Sequence, residues 1–144
     1  MPLSYEDARN AIVTAFLSQW QSGASAAVGY EPEIAYDNVF LVEPTDRHWA
    51  RLSIQHTAGR QATFGPVGER HFRRSGLVTL QIFLLADTGL SDGDKLAEIA
   101  VAAFEGISTD DGVWFRNVRS NEVGFDGVWF QINVVAEFEY DKMR

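Results

Sequence analysis

The sequence predicts an α+β fold: a mainly antiparallel twisted sheet with two helices packed on one face. Three observations carry this reading. Two segments repeat apolar residues at the helical period, at least four others alternate or run apolar as strands do, and the order is helix, strands, helix, strands. The 144 residues are the length of one domain, so 1–144 is taken as a single unit. Apolar residues at 46% and charged residues at 22% are a globular composition.

Ser4-Tyr5-Glu6-Asp7 reads as a helix start, with Ser4 as cap and acids in the first turn where the helix dipole favours them. Ala8, Ile12, Phe16 and Trp20 recur every fourth residue, with Val13 and Leu17 beside them. The pattern predicts an amphipathic helix over 5–21, ended by Gly23 and followed by a loose connection. Ile34-Ala35-Tyr36 is a short strand and Pro44-Thr45-Asp46 a turn. Residues 48–56 place Ala50, Leu52 and Ile54 on one face and Arg51, Ser53 and Gln55 on the other, as in a half-buried strand. Residues 57–75 hold three glycines, a proline and four arginines with little periodicity. They are expected to form a long hairpin-like excursion. Residues 76–85 are the most apolar stretch and predict a central strand.

Residues 87–94 read as a loop, in which Ser91 or Asp92 caps a second helix. Leu96, Ile99, Ala100, Ala103 and Phe104 form its buried stripe and Gly106 stops it. Strands are expected at 113–119 and 128–140, with Asp126-Gly127 between them as a turn. In the last strand Phe130, Ile132, Val134, Ala136, Phe138 and Tyr140 share one face. The opposite face is polar, which suits a sheet covered on one side only.

Composition narrows function by exclusion. The chain has no cysteine, so no disulfide framework, thiolate metal site or cysteine nucleophile is available. Its net charge of −8 counts against a protein whose main task is to grip nucleic acid. No leader is read at the start and no apolar run is long enough to span a membrane. That charge is unevenly placed. Residues 1–46 hold one basic and seven acidic residues (−6), 47–74 hold six arginines against Glu69 alone (+5), and 75–144 hold five basic and twelve acidic residues (−7). Arginines interleaved with Trp49, Leu52, Ile54 and Phe72 read in two ways. They pair with the chain's own carboxylates, or they form a charged contact surface for a partner, including another copy of this acidic chain.

Catalytic patterns fail on inspection. Asp87-Thr88-Gly89 follows an apolar strand as an aspartic-protease turn does, but that chemistry needs two such carboxylates and the sequence offers one. Asp87 to Asp94 lacks the ligand spacing of a calcium loop, and helix capping accounts for its acids. His48 and His56 lie roughly 26 Å apart along one extended strand at about 3.3 Å per residue, too far for one metal. No serine lies in a Gly-x-Ser-x-Gly turn, and no glycine-rich nucleotide loop occurs. Neither a cofactor nor a metal is therefore expected. Of the four tryptophans, Trp20 belongs to the helical core stripe, whereas Trp129 falls on the polar strand face. It stacks on a ligand, sits in an interface or lies under a nearby loop.

Several blocks together resemble the tail terminator family of long-tailed phages, also described as tail-completion or minor tail proteins. They are Tyr5…Ala8-Arg9…Ile12…Phe16…Trp20, Ile34-Ala35-Tyr36-Asp37-Asn38, Trp49-Ala50-Arg51-Leu52-Ser53-Ile54, Gly76-Leu77-Val78-Thr79-Leu80-Gln81-Ile82-Phe83, and residues 127–141. The resemblance implies a non-enzymatic structural protein of α+β fold. It would form a hexameric ring on the tail tube, stop tube growth and present the head-joining surface. Its partners would be further copies of itself, the tail tube protein and a head–tail joining protein, with DNA passing unbound. It would assemble in the host cytoplasm and reside in the virion tail. A ring needs two different complementary patches on each copy. Arg51, Arg60, Arg70, Phe72, Arg73, Arg74 and Trp129 are the candidate contact residues. Reversal of Arg73 and Arg74 to glutamate is expected to abolish the ring and leave the monomer folded. The rival reading is a small-ligand-binding or enzymatic α+β cone, which needs a deep apolar pocket with converging polar groups.

Overall fold

Helix α1 (Tyr5–Val28) begins as its first residues require. The Ser4 hydroxyl accepts from the Asp7 N–H, and the Asp7 carboxylate accepts from the Ser4 N–H. The two contacts satisfy two of the orphan donors at the helix start. The helix runs seven residues past its predicted end. Gly23 does not stop it, because it lies against Ile99 of the second helix, where a Cβ would come within 3.3 Å of the Ile99 side chain. Glycine is there for close packing, and Ala24, Ala26 and Ala27 are strong helix formers that carry the helix on. Gly29, at φ 86°, is the true terminator, and its N–H donates to the Ser25 carbonyl. The computed structural model describes residues 3–144.

Five strands follow, interrupted by one helix: β1 (Glu33–Tyr36), β2 (Trp49–Gln61), β3 (His71–Leu85), α2 (Ser91–Phe104), β4 (Trp114–Phe125) and β5 (Trp129–Met143). They form one sheet in the order β1-β2-β3-β5-β4, so the segment predicted as central is central. All neighbours are antiparallel except β1 and β2, which run parallel. The α+β class and its mainly antiparallel sheet are as the sequence predicts.

Even-numbered positions of β3 and β5 face the helices. Val78, Leu80, Ile82 and Leu84 meet Ile132, Val134, Ala136 and Phe138 there, together with Ala50, Leu52 and Ile54 of β2. Phe16 stacks on Trp20 at 5.2 Å and on Phe104 at 6.2 Å, which joins α1 to α2 above this layer. The second helix corrects the capping expectation. Its N-cap position is Leu90, without a side-chain hydrogen bond, and Ser91 and Asp92 are already inside the helix. The Asp92 carboxylate instead meets His48 Nε2 at 3.1 Å. The first turn is pressed onto the sheet: a Cβ at Gly93 would lie 2.5 Å from Leu84 and 2.8 Å from Ile132.

The excursion at 57–75 is more regular than its sequence suggests. β2 and β3 stay paired out to Gln61 and Phe72, across a bulge between His56 and Ala58. β5 continues beside β3 to the His71–Met143 pair, and Arg70 and Arg144 exchange backbone hydrogen bonds beyond it. The result is a three-stranded arm with residues 62–70 as its tip. Periodicity is lost there because both arm faces lack a continuous apolar layer, not because strand is lost.

Candidate assembly surface

The arm is rooted where two close approaches coincide. Gly76 lies between the Gln55 carbonyl and the Phe138 ring, which would stand 2.0 Å and 2.6 Å from a Cβ. His56 sits one step further out, its Nε2 2.7 Å from the Tyr140 hydroxyl and its ring edge-on to Tyr5 at 4.7 Å. Burial, and then the nearby Arg9 and Arg74, hold the His56 pKa below the usual imidazole value. Arg74 lies over the Tyr5 ring at 4.2 Å, which ties the arm root to the start of α1.

The arginines expected to form one contact patch divide into two groups. Arg73 is engaged internally. It makes a bidentate pair with Asp141 at 2.9 and 3.1 Å and lies 5.3 Å from the Trp114 ring. Hydrogen bonding to Arg73, supported by the charges of Arg73 and His71, holds the Asp141 carboxyl below the ordinary carboxylate range despite partial burial. Arg74 belongs to the root. Reversal of Arg73 and Arg74 would therefore break the chain's own contacts, and these two are the wrong pair on which to test assembly. Arg60 and Arg70 differ. Among the described residues neither pairs with an Asp or Glu side chain; Arg70 donates to a main-chain oxygen of Arg144 and flanks Phe72 at 5.7 Å. Arg51 lies on the outer sheet face, 5.9 Å from the Trp49 ring. At the tip Phe64 and Val67 are 95% and 85% exposed, a signal that the sequence reading passed over.

Trp129 lies under a neighbouring segment, one of the readings its sequence position allows. It is only 5% exposed and belongs to a second cluster on the outer face with Ala35, Trp49, Leu41 and Phe83. Its indole Nε1 donates to the Glu43 carboxylate, so the segment before β2 covers it. A partner reaches this ring only if that segment moves. The rest of the outer face is a half-exposed polar ladder that includes Arg51, Gln81, Asn133 and Asn121. No element of the described chain packs over it.

Two of the groups weighed for chemistry have the following settings. His48 is buried, accepts the Leu85 N–H at Nδ1 and meets Asp92 at Nε2, which leaves no lone pair free to act as a base. Asp87 lies in an exposed turn at φ 65°. Among the described residues no three His, Asp or Glu side chains gather to hold a metal, and no helix is long and apolar enough to cross a membrane. Between helices and sheet the buried residues of α1, α2 and the inner strand faces form one apolar cluster. The hollows lie at the surface. One open groove of about 590 Å³ runs between α1 and the loop after α2, lined by Ala11, Ala103, Ile107 and the acids Asp7, Asp110 and Asp111. A smaller one of about 360 Å³ lies between Leu85, Leu90, Phe125 and Phe130, at the end of the sheet away from the arm.

No protein-family model matches the chain, and no curated protein matches it by sequence. Its fold is similar to that of solved structures. One, which bears no functional name, is 13% identical at a TM-score of 0.65, over 92% of this chain and 94% of that one. Another is a chain from the virion of a native gene transfer agent particle, 16% identical at a TM-score of 0.53, over 96% of this chain and 99% of the other. At these identities the likeness is one of fold.

Proposed function

We propose that this chain is a structural subunit of a virion tail. It caps the tail tube as a hexameric ring, in the manner of the tail terminators that its sequence resembles, and offers the surface that joins the head. The observation that carries this reading is the arm. It projects beyond the core with an exposed phenylalanine at its tip and two arginines that no Asp or Glu side chain pairs among the described residues, in a chain that is otherwise acidic. Such a feature adds little to the fold of the chain that bears it, and it supplies one of the two unlike patches of a heterologous ring contact. The near full-length likeness to a chain of a gene transfer agent virion supports the reading, as does the uncovered outer face of the sheet. In this role the side chains match protein to protein, and DNA passes without being held.

Native mass spectrometry over a range of concentrations tests it. The wild type is expected to give a closed hexamer, and Arg60→Glu with Arg70→Glu a folded monomer. A wild-type chain that stays monomeric at every concentration, alone and with tail tubes, would refute the proposal.

A further inference from the structure

We infer that the tip of the arm docks into the acidic groove of the next copy, so that each subunit carries both halves of one heterologous contact. This deepens the proposed ring and rests on it. The groove has an apolar floor at Ala11, Ala103 and Ile107, and Asp7, Asp110 and Asp111 stand along it. No basic residue lines it. The groove is open to solvent, and its volume of about 590 Å³ leaves room for a turn with one aromatic ring.

The arm presents the complement. Phe64 and Val67 are almost fully exposed at the tip. Arg60 and Arg70 flank them, with Glu69 the one acid of the tip, and neither arginine pairs with an Asp or Glu side chain among the described residues. An exposed apolar tip with a cationic collar matches an apolar floor with an acidic wall in shape and in sign. Phe64 does not occupy the groove of its own chain, since it stands 95% exposed. A second copy is therefore the occupant that this chemistry selects. One arm and one groove per copy, facing different neighbours, propagate head to tail until rotation closes the ring.

A charge-exchange cycle tests the pairing. Asp110 and Asp111 lie on an exposed loop, so Asp110→Lys with Asp111→Lys leaves the core untouched. Its circular dichroism and urea midpoint should stay close to wild type. Measured by sedimentation, self-association of this variant is expected to weaken roughly tenfold or more, as is that of Arg60→Glu with Arg70→Glu. The fourfold variant, which has an acidic arm and a basic groove, is expected to recover most of the wild-type association. If the arm variant dissociates while the groove variant assembles like wild type, the groove is not the receiver and the inference falls, with the ring reading intact. Failure of the fourfold variant to recover overturns the inference in the same way. If neither pair of reversals affects assembly, the arm contact itself is wrong, and the proposed basis of the ring fails with it.

Discussion

Gly76 shows how a single residue sets the geometry on which the arm depends. The Gln55 carbonyl and the Phe138 ring close over its Cα, and a methyl group there would stand 2.0 Å from a backbone oxygen that cannot rotate away. Gly76→Ala is expected to lower unfolding stability by about 3 kcal/mol or more, at or beyond the upper end of ordinary overpacking, and a urea midpoint in the wild-type range would contradict this account of the root. A neighbouring residue makes that root sensitive to pH. His56 is held neutral by burial and by the cations Arg9 and Arg74, while Tyr5 and Tyr140 face it as uncharged rings. Its folded pKa lies below its unfolded one, so the unfolded chain takes up its proton first. The stability it supports is complete above the ordinary imidazole value of about 6.5 and declines as pH falls from there towards the lower folded value. His56→Gln should flatten that part of the stability curve. Equal slopes for wild type and variant between about pH 7.5 and 5.5 would show that His56 is not the titrating group.

The elements differ in how far the sequence discloses them. α1, α2 and the inner strand faces were legible because burial on one side imprints a period of 3.6 or 2 on the residues. The end of α1 was not, because Gly23 reads alike whether it stops a helix or lets Ile99 approach. How far strand pairing continues along the hairpin-like excursion was not legible because alternation records a buried face, and beyond His56 neither β2 nor β3 covers a continuous one. Its backbone pairing still holds out to Gln61 and Phe72, supported by β5. From this follows an expectation for the tip as an element. Replacing residues 64–69 with a two-residue Asn-Gly turn joins Thr63 to Arg70, keeps the register that Gln61 and Phe72 define and removes only exposed chain. The shortened protein is expected to unfold cooperatively within about 1 kcal/mol of wild type, as substitutions of exposed, unpacked chain usually do, while losing the ability to self-associate. A large loss of stability would mean that the tip belongs to the fold and is not a contact device.

At the scale of the whole molecule, the charge asymmetry was visible by counting, but the identity of the available arginines was not. Arg73 finds Asp141 across 68 residues of sequence, a pairing that only the β3–β5 register creates. What remains is a chain of net charge −8 with two arginines, Arg60 and Arg70, beside the tip and a local acidic groove, and the net charge and these local groups act over different distances. Two whole copies repel through their net charge across centre separations of roughly 30 Å, twice the radius of gyration of a chain of this length. Arm and groove attract only within a few ångströms. The Debye length is about 30 Å at 0.01 M salt, about 8 Å at 0.15 M and about 3 Å at 1 M. The first added salt therefore screens the long-range repulsion and leaves the contact largely intact, whereas high salt weakens the contact itself. Self-association followed by light scattering is expected to rise from about 0.01 M salt to a maximum near 0.15 M and to fall by about 1 M. The Arg60→Glu, Arg70→Glu variant should lack that maximum. A wild-type curve that climbs steadily with salt would assign the contact to Phe64 and Val67 alone and remove the arginines from the assembly surface.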